Sequence, residues 1–225
     1  MTTQLQPDSG EGGRQELFQN SNNYWDDRYT KDREPLDWLQ TYNSLREIFH
    51  RYLRPSDRML NVGVGNSPLS TDMRRDGFID IFNIDISAVV IEQMLNGTET
   101  EPGSNLVWQV MDCRSLEFDD ESFDAVIDKG CYDTLLTSEE STSSIQKYLA
   151  HVARVLKPEG KFMCISVWHP DELLEMLSNQ DYSWKVEYEF LTKPIIGGVE
   201  EKMDPDNNPT SAHYLYVCTM GSDDE

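Results

Sequence analysis

Positive charge is scarce in this chain: 19 Lys and Arg stand against 41 Asp and Glu, a formal net charge of −22. A surface that acidic repels phosphate backbones, which argues against nucleic acid and leaves a basic macromolecule as the partner that charge favours. The same charge also serves solubility alone. Long apolar runs are missing too. None approaches the ~20 residues of a membrane span, so no membrane partner is expected. The opening "MTTQLQPDSGEGG" has no basic patch ahead of a hydrophobic core and does not read as a secretory signal, so the expected location is cytoplasmic. Four cysteines (Cys113, Cys131, Cys164, Cys218) include no CxxC pair, and four histidines (His50, His151, His169, His213) no HxxxH. Those spacings argue against a zinc site and a disulfide framework, and no metal is expected.

What is present is enough for one globular domain, since a chain of 225 residues buries roughly 70% of its unfolded surface without staples. Residues 1–20 are polar and glycine-bearing and read as a disordered leader; residues 21–225 read as the domain, expected to be a monomer. Within it, "SNNYWDDRYTKDREPLDWL" is dense in aromatics and charges, and "NSLREIFHRYL" sets Leu45, Ile48, Phe49 and Tyr52 at helical spacing. Apolar strand candidates then fall at 59–64, 81–86, 107–111, 123–127 and 162–167. Helical stretches fall at 68–75, 88–95, 144–156 and 170–178. Strands that run apolar throughout and alternate with helices indicate a parallel sheet covered on both faces. Two later strands, "KVEYEFL" and "HYLYVCT", alternate with period two, as expected near a sheet edge and for an antiparallel ending. Polar "TSEESTSS" reads as a loop before a helix. The stretch 193–212 is a connection long enough to be functional or disordered.

The first strand runs into a glycine turn, "LNVGVGNSPLS". Ser67 is placed to cap the following helix and Pro68 to occupy its first position. Gly63 and Gly65 let a ligand approach the backbone. The dinucleotide pattern GxGxxG fails, because its third glycine would fall at Pro68. Asp85 ends the second strand about 20 residues on, where a carboxylate accepts hydrogen bonds from ribose hydroxyls. Asp112 ends the third strand, and with the backbone N–H of Cys113 it is positioned to read an adenine edge. Asp128 and Lys129 end the fourth. Each acid taken singly is equally well a helix cap or a solvated loop carboxylate. Together, at consecutive carboxyl ends of strands, they describe an adenosine site without a diphosphate.

"LNVGVGNS", "NIDIS", "VMDCRSLEFDDESFDAVIDKG" and "VLKPEGKFMCIS" resemble the successive motifs of class I S-adenosylmethionine-dependent methyltransferases, over about residues 24–219. "YWDDRY", "DWL", the asparagine-serine after the glycine turn and "DKGCYDTLL" bring the resemblance nearer to the group that includes elongation factor 1-alpha lysine methyltransferases. The resemblance implies an α/β, seven-stranded Rossmann-like fold, mostly parallel with an antiparallel C-terminal strand. It implies S-adenosyl-L-methionine as cofactor and S-adenosyl-L-homocysteine as product. It also implies cofactor contacts at Trp25, Tyr29, Trp38, Gly63, Asp85, Ile86, Asp112, Cys113 and Lys129, to which the turn itself adds Gly65. Val64 stands where the family often has cysteine or alanine.

Methyl transfer is an in-line displacement that rests on alignment and water exclusion, so no catalytic triad is required. An amine acceptor must lose a proton, for which Asp128, Tyr132 and Asp133 are candidates, with capping as the equal alternative. The stretch 21–40, whose aromatics are interleaved with charges, is expected to close over the cofactor. "DKGC" replaces the [DN]PP[YFW] tetrapeptide of methyltransferases acting on bases or glutamine. The expected activity is methylation of a lysine on a basic protein such as elongation factor 1-alpha. A small-molecule methyltransferase and a catalytically silent binding module are the alternatives.

Overall fold

The computed structural model describes residues 22–97, 105–138, 141–192 and 212–222. The expected leader at 1–20 and all but the last residue of the 193–212 connection lie outside the described residues. Helix α1 (Asn22–Lys31) is followed by an extended stretch and then α2 (Tyr42–Tyr52), which Thr41 and Ser44 close with a reciprocal capping box. The doubly wound part runs β1 (Arg58–Val62), α3 (Leu69–Arg75), β2 (Asp80–Asp85), α4 (Ala88–Gly97), β3 (Asn105–Val110), β4 (Phe123–Lys129), α5 (Cys131–Leu136), α6 (Ser141–Val155) and β5 (Leu156–Ser166). It ends with α7 (Pro170–Leu177), a 3-10 turn (Gln180–Tyr182), β6 (Trp184–Leu191) and β7 (His213–Met220).

The seven strands form one sheet in the order β3-β2-β1-β4-β5-β7-β6. β1 to β5 pair in parallel, whereas β7 runs antiparallel to both β5 and β6. The chain winds from β1 outward through β2 to β3, then returns to build β4 and β5 on the other side. The order therefore reverses between β1 and β4, and an open α/β sheet binds ligands at such a reversal, beyond the carboxyl ends of the strands.

Alternation along each strand feeds two cores. Leu60, Val62, Val126 and Phe162 pack beneath α6 and α7 on one face, while Met59, Ala125, Ile127 and Met163 pack beneath α2 and α3 on the other. A third cluster joins Tyr29 and Trp25 of α1 to Val90 and Ile91 of α4 and to Trp108 of β3. The N-terminal helix is thus fastened to the β2–β3 side of the sheet.

Four sequence readings shift, the first being α6, which begins at Ser141 inside the polar stretch read as a loop. Pro68 is the N-cap of α3 and not its first residue, with the Ser67 hydroxyl accepting the Leu69 N–H from one position earlier (3.2 Å). β5 begins at Leu156 and not at 162, because Leu156 pairs with Phe123 before a register shift resumes pairing at Lys161. β7 lies inside the sheet. Its period-two pattern alternates two buried faces, with Tyr214, Tyr216 and Cys218 in one core and Leu215 and Val217 in the other. Of these two strands β6 lies at the sheet edge, with Tyr188 and Phe190 exposed.

Candidate active site

The cleft opens at the β1/β4 reversal, and all ten expected cofactor contacts line it: Trp25, Tyr29, Trp38, Gly63, Gly65, Asp85, Ile86, Asp112, Cys113 and Lys129. Its floor is the glycine turn. Gly63 and Gly65 both lie at positive φ (58° and 54°), a backbone state that L side chains rarely adopt. Each is also closely approached. A Cβ on Gly65 would sit 2.7 Å from the Tyr29 hydroxyl, and one on Gly63 would sit 2.7 Å from the Cys131 sulfur. At those two positions the turn therefore offers bare backbone to a ligand and has no room for a side chain.

Asp85, at the tip of β2, organises that turn. One carboxylate oxygen accepts the Gly65 N–H and the other the Ser87 N–H, both at 2.9 Å. Burial raises its pKa to about 6, against the pull of those N–H groups, and Asp26 adds to the rise. The Ile86 N–H also bears on this carboxylate, which still keeps acceptor capacity for a sugar hydroxyl. Asp112 is arranged differently. Arg114 folds back on it, with Nε 2.9 Å from Oδ1 and Nη2 2.7 Å from Oδ2, and its backbone N–H also reaches Oδ1. Burial opposes ionisation of Asp112, but the Arg114 hydrogen bonds outweigh it and leave the pKa below the usual range. Arg114 was not anticipated, although an acid two residues ahead of an arginine is a readable signal for this closure. Leu39, Cys131, Thr134 and Leu135 also line the cleft without having been singled out.

The N-terminal segment roofs the cleft by named bonds. Trp25 stacks on Tyr29 at 5.8 Å, and the Arg28 guanidinium lies 5.3 Å from the Trp38 ring centre. Ser87 donates to Asp26 (2.6 Å), Gln93 to the Tyr29 carbonyl (2.8 Å), and Asn66 to the Glu34 carbonyl (2.7 Å). Lys129 crosses from β4 to donate to Asp37 (3.1 Å) and to the Trp38 carbonyl (2.9 Å), and Ser67 donates to the same Asp37. Burial lowers the Lys129 pKa, and Asp37 opposes that fall. Gln40 ties the end of the segment to the Thr192 carbonyl (2.8 Å) at the end of β6.

The three acid–base candidates do not line the cleft, and this corrects their expected role. Asp128 points beneath it, accepting the N–H groups of Cys131 (2.8 Å) and Tyr132 (3.0 Å) and the Tyr148 hydroxyl (2.6 Å). It caps the start of α5 from the end of β4. Asp133 accepts the Ser166 hydroxyl and the Val167 N–H (3.1 Å), fixing the end of β5. Tyr132 is wholly buried in the core under α6, with its hydroxyl 3.9 Å from the Met176 sulfur. Burial raises Asp128 to about 6 and Asp133 to about 7. Capping and core packing occupy all three.

The donor set fits an adenosine-bearing sulfonium: a bare glycine turn, a strand-tip carboxylate beside it, and stacked aromatic faces that favour a cation. Comparison with known proteins agrees. A methyltransferase domain model matches residues 53–214. A mouse protein, eEF1A lysine and N-terminal methyltransferase, is 40% identical over 152 residues, 65% of this chain and 21% of that protein. Cattle EEF1A lysine methyltransferase 4 is 34% identical over 175 residues, covering 73% of this chain and 68% of the relative. The chain thus spans about a fifth of the mouse relative and about two thirds of the bovine one. Among solved structures, a SAM-dependent methyltransferase from Methanosarcina mazei superposes with TM-score 0.60 at 18% identity, over 78% of this chain and 98% of that one. Phosphoethanolamine N-methyltransferase 2 of Haemonchus contortus, with S-adenosylhomocysteine bound, gives 0.58 at 15% identity over 80% of this chain and 53% of that one.

Proposed function

The chain belongs to the S-adenosylmethionine-dependent methyltransferases, and from that premise we propose that it methylates a lysine side chain of a basic protein, eEF1A being the first candidate. The observation that carries this reading is the similarity, at 34–40% identity, to relatives named for methylating eEF1A lysines. The acidic chain adds a physical reason for a basic partner. The enzyme acts as a monomer in the cytoplasm.

When bound, the cofactor supplies a methyl group on a sulfonium for in-line displacement by an amine. Asp85 would accept the ribose hydroxyls, and Asp112 with the Cys113 N–H would hold the adenine edge. Gly63 and Gly65 admit the ligand to the backbone, and Trp25, Tyr29 and Trp38 exclude water above it. The acceptor amine needs no dedicated base. Burial of a target lysine in the cleft would itself disfavour its charged form. Its proton leaves to solvent before the side chain is enclosed.

Incubation with methyl-labelled cofactor and a cell lysate separates the readings. Label in a discrete protein band, released as methyl-lysine on hydrolysis, is expected. Label recovered only in dialysable material would replace the protein substrate with a small molecule. Cofactor binding without any transfer would leave a binding module.

A further inference from the structure

Two thiols meet in the wall of the cleft. Cys113 follows Asp112 just beyond β3, and Cys131 opens α5 directly after Gly130, whose left-handed backbone (φ 86°) turns the chain out of β4. Their sulfurs lie 3.8 Å apart, and both residues line the cleft. The other two cysteines, Cys164 and Cys218, are buried within β5 and β7 and line no part of it. Nothing in the proposed transfer uses either cleft thiol as a nucleophile, so the pair is chemistry left over.

We propose that Cys113 and Cys131 are an oxidation site, joined by a hydroperoxide into a disulfide that closes the cleft to cofactor. This rests on the cofactor site proposed above. The reaction balances in two steps. One thiol gives up its proton and its sulfur attacks an oxygen of hydrogen peroxide, the O–O bond breaks, and the hydroxide released takes up that proton, leaving sulfenic acid and water. The second thiol then attacks that sulfur, the S–S bond forms, the S–O bond breaks, and water leaves. The two sulfurs lose two electrons and two protons in total, and one peroxide becomes two waters.

The geometry gives the bond its consequence. Closing 3.8 Å to a covalent separation of about 2 Å draws the two chain segments together. Cys113 carries the N–H assigned to the adenine edge, so the movement takes place inside the base site. Cys131 is packed against Gly63 so closely that a Cβ there would lie 2.7 Å from its sulfur, and its displacement also disturbs the glycine turn. The hydrogen bond with Cys113 and then burial hold the Cys131 thiol well above the usual range, which disfavours its thiolate and slows attack from that sulfur.

The test uses the full chain, treated with hydrogen peroxide, quenched by alkylation and digested without reduction. Calorimetry with S-adenosylmethionine is run on reduced, oxidised and re-reduced samples. The expected result is a linked peptide pair containing Cys113 and Cys131, an affinity at least about tenfold weaker after oxidation, and recovery with reductant. Cys131→Ser and Cys113→Ser should each abolish the linked pair, and the affinity of each should be the same before and after peroxide. Absence of the linked pair, or a linked pair with unchanged affinity, overturns the proposal. If the reduced protein fails to bind cofactor at all, the cofactor site itself is wrong and the closing role falls with it, whatever the peptide map records.

Discussion

Asp85 carries two tasks on one carboxylate. It holds the glycine turn through the Gly65 and Ser87 N–H groups, and it lines the cleft where the proposed cofactor's ribose would sit. Asp85→Asn keeps the shape and one acceptor oxygen while removing the charge. Hydrogen bonds to a charged group contribute about 1.5–3 kcal/mol, so cofactor affinity should fall roughly 10- to 100-fold. Calorimetry returning the unmodified affinity would remove Asp85 from the site. Asp133 supports a separate prediction. Burial first, and Asp128 after it, raise its pKa to about 7, whereas an unfolded aspartate titrates near ~3.9. The native state therefore holds this proton more tightly than the unfolded chain does. The stabilisation that follows is complete below about pH 4 and is lost as pH rises toward 7. In Asp133→Asn the amide can donate to Ser166 and its oxygen can accept from Val167, so the unfolding free energy should fall less with pH across that window, by at least about 1 kcal/mol. Parallel pH curves for the two proteins would contradict this. The same residues mark what a sequence can tell. Asp85, Asp112 and Lys129 were legible because strand tips at a glycine turn face one cleft. Asp128 was not, because neighbouring residues on a strand point to opposite faces. Lys129 therefore enters the cleft while Asp128 turns under it, and no spacing rule says which of the two does so.

At the scale of elements, the roof of the cleft is a helix and an extended stretch held by polar bonds. The aromatic and charged mixture of residues 24–39 was readable as a cover, since core segments avoid such charge. Its fastening was not readable, because Asp37 and Lys129 are 92 positions apart. That pair is well buried, with side-chain exposures of 15% and 6%. Removing one partner of a buried pair strands the other charge, so Asp37→Ala should lower the unfolding free energy by about 3 kcal/mol. Amide exchange in residues 24–39 should quicken in the same variant. Adding Lys129→Met, which leaves no stranded charge, should restore most of the stability. An unaltered exchange pattern in Asp37→Ala would mean that the packing of Tyr29 on Val90 and Ile91 holds the roof without this bond.

At the scale of the whole molecule, the sheet order and the net charge divide the work between cofactor and substrate. The apolar strand runs made the parallel half of the sheet legible. The aromatic alternation of β7 misled, because a strand between two layers also alternates when its two faces feed different cores. The charge of −22 bears on encounter rather than on fold. Raising salt from about 0.05 to about 0.5 M shortens the screening length from roughly 14 to roughly 4 Å. The specificity constant on a basic protein should then drop several-fold, while cofactor affinity stays nearly constant. Equal salt sensitivity of both, or of neither, would separate the charge from substrate capture. The most direct test of the account is to incubate purified eEF1A with the enzyme and methyl-labelled S-adenosylmethionine, then map the product by mass spectrometry. The account predicts added methyl mass on a lysine of the factor, dependent on Asp85. Unmodified eEF1A beside an enzyme that binds cofactor normally would contradict the lysine substrate proposed for this cleft.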